Sequence, residues 1–141
     1  MSTLKVTNVA HEASTLNTLV FDNGGGSGNG RVTTKGTIGE ISAVSYASTI
    51  TLDFRTANNF STTLTGNVTF ANPSNLSAGQ SGVLCISQDG SGSRTAAFGS
   101  YWDFSDGTAP TLSTGANQVD VIAWIARTNT NIAAQFIGNF S

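Results

Sequence analysis

From Ala43 onward, apolar and polar side chains alternate with the period of two that is typical of half-buried β-strands. The first run places its apolar side chains at even positions, namely Val44, Tyr46, Ile50, Leu52 and Phe54. Alternation continues in residues 60–64 and 68–70, on either side of Gly66-Asn67. Because glycine accepts the positive φ of a tight turn, this pair predicts a two-residue hairpin.

The segment 82–104 repeats this pattern of two β-capable runs joined by a small-residue turn. Its apolar run stops at Asp89-Gly90, and the chain returns through residues 96–98 into Tyr101-Trp102. We therefore predict a second β-hairpin that ends in an aromatic pair. Cys85, the only cysteine, lies between two apolar neighbours and is predicted to be a buried core thiol without a disulfide.

Residues 119–126 are apolar at nearly every position, which predicts a strand that is covered on both faces or lies at an intersubunit contact. Trp124, within this strand, is predicted to lie in the core or at that contact. The segment 128–131 then turns the chain into a last alternating strand, 132–136. With about seven strands from Ala43 on, the prediction is all-β: a single antiparallel β-sandwich or partly closed barrel.

The first 42 residues differ from the rest. Two short β-capable pieces, 4–9 and 16–22, precede a glycine-rich segment at 24–30. We expect an extended N-terminal arm (1–42) with a glycine-rich joint, followed by the β domain (43–141). A phosphate-binding loop is not favoured, because no helix pattern and no Gly-Lys-Ser/Thr sequence follow the glycines.

Composition narrows the classes of function. The chain has 141 residues, of which 10% are charged, and a net charge of −2. Its six basic residues are scattered singly, so no nucleic-acid partner is expected. No signal peptide or membrane span is evident, so we expect synthesis in a cytoplasm and no membrane partner. A surface with few charges fits a protein that is packed among neighbours.

The residue types that catalysis and metal binding require are scarce. His11 is the only histidine, so no common zinc spacing and no nucleophile-base pair is formed, and we predict no catalytic, metal-binding or cofactor-binding residues. Asp103 and Asp106, next to Tyr101 and Trp102, make the best case for a glycosidase cleft. The favoured interpretation is a turn, with the two aromatic residues left as candidates for binding a surface glycan.

Seven segments carry a family resemblance, and they comprise residues 1–6, 51–54, 60–73, 76–82, 86–95, 107–113 and 119–124. In this order along the chain they resemble a β-rich module of tailed-bacteriophage virion proteins, especially the fibre-like proteins of marine and cyanobacterial phages. The resemblance covers about two-thirds of the chain. It implies a non-enzymatic structural protein of the virion that forms homotrimers, with Val121 and Trp124 as candidates for the trimer interface.

No long repetitive fibre shaft is present, and we therefore expect a capsid decoration (cement) protein on the head surface. Its partners would be further copies of itself and the major capsid protein or a tail protein. In the arm, the residues expected to contact the capsid by β-augmentation are Leu4, Val6, Val9, Leu19 and Phe21. The alternative is a short tail fibre or tail-attached receptor-binding protein that recognises host glycans through Tyr101 and Trp102.

Overall fold

The structure, a computed structural model, describes residues 38–140. The chain divides into two units, residues 1–37 and 38–141, of which only the second is described. The arm residues predicted to contact the capsid, the glycine-rich joint at 24–30 and His11 all lie outside the described residues. The strand at Ile41–Ala43 crosses the predicted boundary between arm and domain and pairs within the second unit.

The described residues form nine β-strands, one 3-10 turn and no α-helix, so the all-β prediction is confirmed for this part of the chain. The strands are β1 (Ile41–Ala43), β2 (Thr49–Ile50), β3 (Asn59–Leu64), β4 (Val68–Phe70), β5 (Ser81–Gln88), β6 (Ala96–Phe98), β7 (Trp102–Phe104), β8 (Val119–Thr128) and β9 (Asn131–Phe140). Six of them form one sheet in the order β1-β3-β5-β8-β9-β7, and the other three form a second sheet in the order β2-β4-β6.

The chain changes sheet at every step from β1 to β7. Each strand from β3 to β6 therefore lies beside the strand two places earlier, and the pairs β1-β3, β3-β5, β2-β4 and β4-β6 are all parallel. This arrangement is a short parallel coil, and it corrects the antiparallel prediction for this half of the domain. Both predicted hairpins are wrong for the same reason: Gly66-Asn67 and the turn after Asp89 connect strands of different sheets.

The last two strands form the antiparallel part of the domain. β8 pairs antiparallel with β5 and with β9, and the tight turn at 128–131 joins β8 to β9 as predicted. At the far side of this hairpin, β7 adds to β9 in parallel. The hairpin thus lies in the middle of the six-stranded sheet, between the parallel coil and the edge strand β7.

Side chains from both sheets enter one apolar core. Even-numbered positions of β3, β5 and β8 point inward, as their alternating burial shows. Phe54 lies at the centre, with ring centroids 4.4 Å from Trp124 and 5.5 Å from Phe60, and it meets Trp102 edge-on at 6.4 Å. Aromatic pairs at these distances stabilise a core beyond the area that they bury.

Candidate interaction surface

The outward side of the six-stranded sheet carries the most distinctive surface of the described residues, and we call it the outer face. It consists of the odd-numbered positions of β1, β3, β5, β8 and β9, together with Phe140. Across these five adjacent strands no acidic, basic or histidine side chain points outward until Arg127, near the end of β8. In a sheet with one face in water, the outward positions normally carry polar and charged residues. A long face without charges is therefore unusual for a fully solvated surface.

Several large apolar side chains on this face are open to solvent. Ile125 is 49% exposed, Ile137 44% and Phe140 49%. They sit beside smaller apolar neighbours, since Val121 pairs with Ile137 and Val83 pairs with Ala123. Contiguous exposed apolar surface of this kind marks an interaction site in soluble proteins.

A β-bulge turns Phe140 onto the outer face. By strict alternation an even-numbered residue of β9 would point inward, but the register shifts between the pairs Val119-Phe140 and Val121-Ile137. The extra residue lies at Gly138-Asn139, where Asn139 takes a positive φ of 68°. Bulges of this type re-aim the side chains that follow them, and Phe140 thereby comes to lie opposite Val119.

The buried carboxylate of Asp120 holds the bulge in place. Asp120 is only 1% exposed, and its two oxygens accept hydrogen bonds from the backbone N–H groups of Asn139 (2.9 Å) and Ser113 (2.8 Å). A Cβ at Gly138 would lie 2.6 Å from the Phe136 ring and 3.1 Å from an Asp120 oxygen, so glycine fits this close approach best. The geometry of the outer face is therefore set from within the core.

A groove of about 530 Å³ crosses the other end of the same hairpin. Ala123 is paired with Gln135, and Ala133 is paired with Ile125. The two small alanine side chains therefore form the floor of the groove, and the two larger side chains stand beside them. Asp103 on β7 stands at its margin. The outer face thus has a recessed end as well as a protruding one.

One ion pair borders the groove. A guanidinium nitrogen of Arg127 lies 3.4 Å from a carboxylate oxygen of Asp103, and both side chains are about half exposed. Exposed pairs of this kind contribute little to stability. Their effect is to leave the margin of the groove electrically neutral.

The candidate aromatic residues occupy different positions from those predicted for a glycan site. Trp102 is 6% exposed, packs in the core and donates a hydrogen bond from Nε1 to the Ala71 carbonyl (3.3 Å). This corrects its assignment as a surface residue. Tyr101 is half-buried against the core, and its backbone N–H donates to the Asn72 side-chain oxygen (2.9 Å).

The two candidates for the trimer interface separate onto opposite sides of β8. Trp124 is 4% exposed and stacks on Phe54, so it belongs to the core and not to a surface. Val121 lies on the outer face, half-buried between Cys85 and Ile137. Cys85 is likewise half-buried on the outer face, which corrects the prediction of a core thiol: Leu84 and Ile86 take the inward positions.

The predicted acidic pair does not form a cleft. Asp103 is paired with Arg127, and Asp106 is exposed in the 3-10 turn, where it takes a positive φ of 60°. The interpretation as a turn agrees with this conformation. Among residues 38–140, no group of three or more His, Cys, Asp or Glu side chains is placed to hold a metal ion.

Two other carboxylates stabilise turns at the ends of strands. Arg94 donates to both oxygens of Asp89, with the closest contact at 2.8 Å, and this hydrogen bond lowers the pKa of Asp89. The Asn75 side chain donates to Asp53 at 2.7 Å and lowers the pKa of Asp53, helped by the backbone N–H of Arg55. Both carboxylates serve the turns that carry the chain from one sheet to the other.

Ile125, Ile137 and Phe140 are the residues of this surface that the sequence interpretation missed. Ile125 and Ile137 stand at odd positions, whereas the inward residues of their strands stand at even positions. This alternation is the signal in the sequence that could have indicated that both side chains point outward. Phe140 is in phase with the core, so only the Gly-Asn pair before it hints at the bulge. Over the part of the chain that the structure describes, no helix is long and apolar enough to cross a membrane.

Comparison of the chain with protein-family models, with curated proteins and with solved structures found no match.

Proposed function

We propose that this chain is a non-enzymatic structural protein of a phage virion, namely a homotrimeric capsid decoration protein on the head surface. The observation that carries the proposal is the outer face, whose one charged side chain is Arg127 and on which Ile125, Ile137 and Phe140 are open to solvent. A protein that is packed against neighbouring subunits in its assembly keeps such a face covered. The sequence resemblance to phage virion modules supplies the biological setting.

Within this proposal the described unit is the body of the protein, a two-sheet sandwich with a parallel coil at one end. The N-terminal arm (1–42) anchors it by adding short strands to exposed sheet edges of the capsid protein. In this role the outer face joins copies of the chain, and the arm joins the trimer to the shell. The two functions lie in separate parts of the sequence and are therefore separable by truncation.

The first experiment concerns location and oligomeric state. The full chain, expressed alone, should have the mass of three 14.5 kDa chains by light scattering after size exclusion. Fluorescently labelled protein should bind to heads of phage that lack it and should bind no isolated tails. A monomeric chain, or one that labels only tails, would contradict the decoration role.

The second experiment separates the arm from the body. A chain that begins at Ile38 keeps every described strand, including β1, and should still form trimers. It should lose binding to phage heads, because the proposed anchoring residues are gone. Full retention of head binding by this shortened chain would contradict the proposed role of the arm.

The alternative role, a tail fibre or receptor-binding protein, has less structural support. Trp102 is buried, so a glycan platform at this corner would rest on Tyr101 alone. Glycan binding that Tyr101→Ala abolishes, with unchanged oligomeric state, would favour this alternative over decoration of the head.

A further inference from the structure

The outer face has two unlike ends, a protruding apolar end and a recessed end. The apolar ridge consists of Val119, Val121, Ile137 and Phe140, and the alanine groove consists of Ala123, Ile125, Ala133 and Gln135. Ridge and groove lie on one hairpin, with Ala133 and Phe140 about 20 Å apart along β9 at about 3.3 Å per residue. We propose that the partner of this face is a second copy of the chain, whose ridge enters the alanine groove.

Shape is the first argument for this contact. The ridge protrudes, because the bulge adds the ring of Phe140 to the side chain of Ile137, and both are nearly half exposed. The groove is recessed, because alanines form its floor, and it is a shallow depression of about 530 Å³ that opens widely to solvent.

Charge is the second argument. The chain has a net charge of −2, and a random approach of two copies is weakly repulsive. On the outer face the ridge carries no charge at all, and the groove is bordered by the self-neutralised pair of Asp103 and Arg127. Two copies can therefore meet here without burying an unpaired charge, which is the most costly event in forming an interface.

A contact between unlike patches has a defined symmetry. Each copy offers one ridge and one groove, so the contact can repeat head-to-tail, and it closes into a ring where the rotation between neighbouring copies allows it. The number three comes from the proposed function, on which this inference rests. In a ring of three, every ridge and every groove is used once.

The test uses full-length chains with one end of the contact removed. The ridge variant carries Ile137→Ser and Phe140→Ser, and the groove variant carries Ala133→Arg. All three positions point outward, so the substitutions leave the core untouched, and unfolding by denaturant should stay close to that of the parent chain. Thr63→Arg, an equal insertion of charge on an exposed position of the outer face away from the hairpin, is the matched control.

Light scattering should find trimers for the parent chain and for Thr63→Arg, and monomers for the ridge and groove variants. An equimolar mixture of the two defective variants should form pairs, because the intact ridge of one fits the intact groove of the other, but no closed trimers. Trimers in either variant, or a mixture that stays monomeric, would overturn the ridge-groove contact. A parent chain that is itself monomeric or dimeric would instead overturn the trimer of the proposed function.

Discussion

The two faces of β8 are almost equally apolar, yet only one of them is buried within the chain. Ile122 and Trp124 point inward and are 0% and 4% exposed, whereas Ile125 points outward and is 49% exposed. Apolar residues on the inner face are explained by the core that they fill. Those on the outer face have no such partner among the described residues. The difference teaches that hydrophobicity along a strand does not by itself distinguish a buried face from an exposed one, and under the proposed function neighbouring copies cover the exposed face.

Substitution of the same residue type on the two faces tests this comparison most strongly. Ile122→Ala leaves a cavity in a fully buried site and should lower the free energy of unfolding by about 2–5 kcal/mol. Ile125→Ala, three residues away, should change the unfolding of the isolated chain by about 0.5 kcal/mol or less. Denaturant titration of both variants at a concentration that keeps the protein monomeric gives the two values. Equal losses would mean that the outer face is also covered within one chain.

Strand periodicity predicts much of this comparison from the sequence, because alternation is a local property. The inward residues of β3, β4 and β9 could be identified from it, and so could the turn at 128–131, whereas the apolar run of β5 placed Cys85 on the wrong face. The choice of sheet could not. Gly66-Asn67 has the composition of a hairpin turn, but whether the next strand stays in its sheet or crosses to the other depends on contacts distant in sequence.

The uncharged surface could be predicted only in part. Val121 was identified through its place in an apolar run, but the same run suggested that Trp124 shares its environment. The two residues are three positions apart, and in a strand an odd separation places them on opposite faces. The outward position of Phe140 could not be predicted, because a bulge of one residue exchanges the inward and outward positions of all residues that follow it in the strand.

Removal of the carboxylate of Asp120 should have the second-largest effect and should link the two faces. Asp120→Ala leaves the N–H groups of Ser113 and Asn139 without their acceptors, which costs about 1–3 kcal/mol for each group that stays buried. Asp120→Asn keeps one acceptor oxygen and should lose less. Denaturant titration ranks the variants. Since the bulge aims Phe140 outward, Asp120→Ala should also weaken self-association, and intact trimers would contradict that link.

Gln88, the last residue of β5, provides a smaller test. Its side chain is 3% exposed, donates to the carbonyls of Arg94 and Ser113 (2.9 and 2.8 Å) and accepts from the Arg94 N–H (2.9 Å). Gln88→Leu keeps the volume but loses these hydrogen bonds, and it should cost about 1–3 kcal/mol in denaturant titration. Gln135→Leu, on the exposed outer face, is the matched control and should be nearly neutral. A neutral Gln88→Leu would mean that water replaces the side chain.

The smallest expected effect concerns acid stability at the turn held by Asp89 and Arg94. The hydrogen bond from Arg94 lowers the pKa of Asp89 in the folded chain below the value of about 3.9 that an unfolded aspartate has. The unfolded chain therefore binds more protons in this range, and the contribution of the pair is complete above that value and declines as pH falls through the lowered pKa. In Asp89→Asn, the unfolding temperature should fall less steeply than in the parent chain as the pH is lowered from about 5 to about 2. This is roughly the range over which such a carboxylate titrates.

Arg94→Gln decides whether the ion pair is the cause of that acid dependence. It removes the donor that lowers the pKa of Asp89 and should weaken this dependence on pH by a similar amount, while the double variant should do no more than either single change. Because the two side chains are 28% and 21% exposed, added salt should weaken the effect in the parent chain. Additive losses in the double variant would show that the residues act independently. Trimer formation should stay unchanged in all three variants, since this turn lies outside both the apolar ridge and the alanine groove.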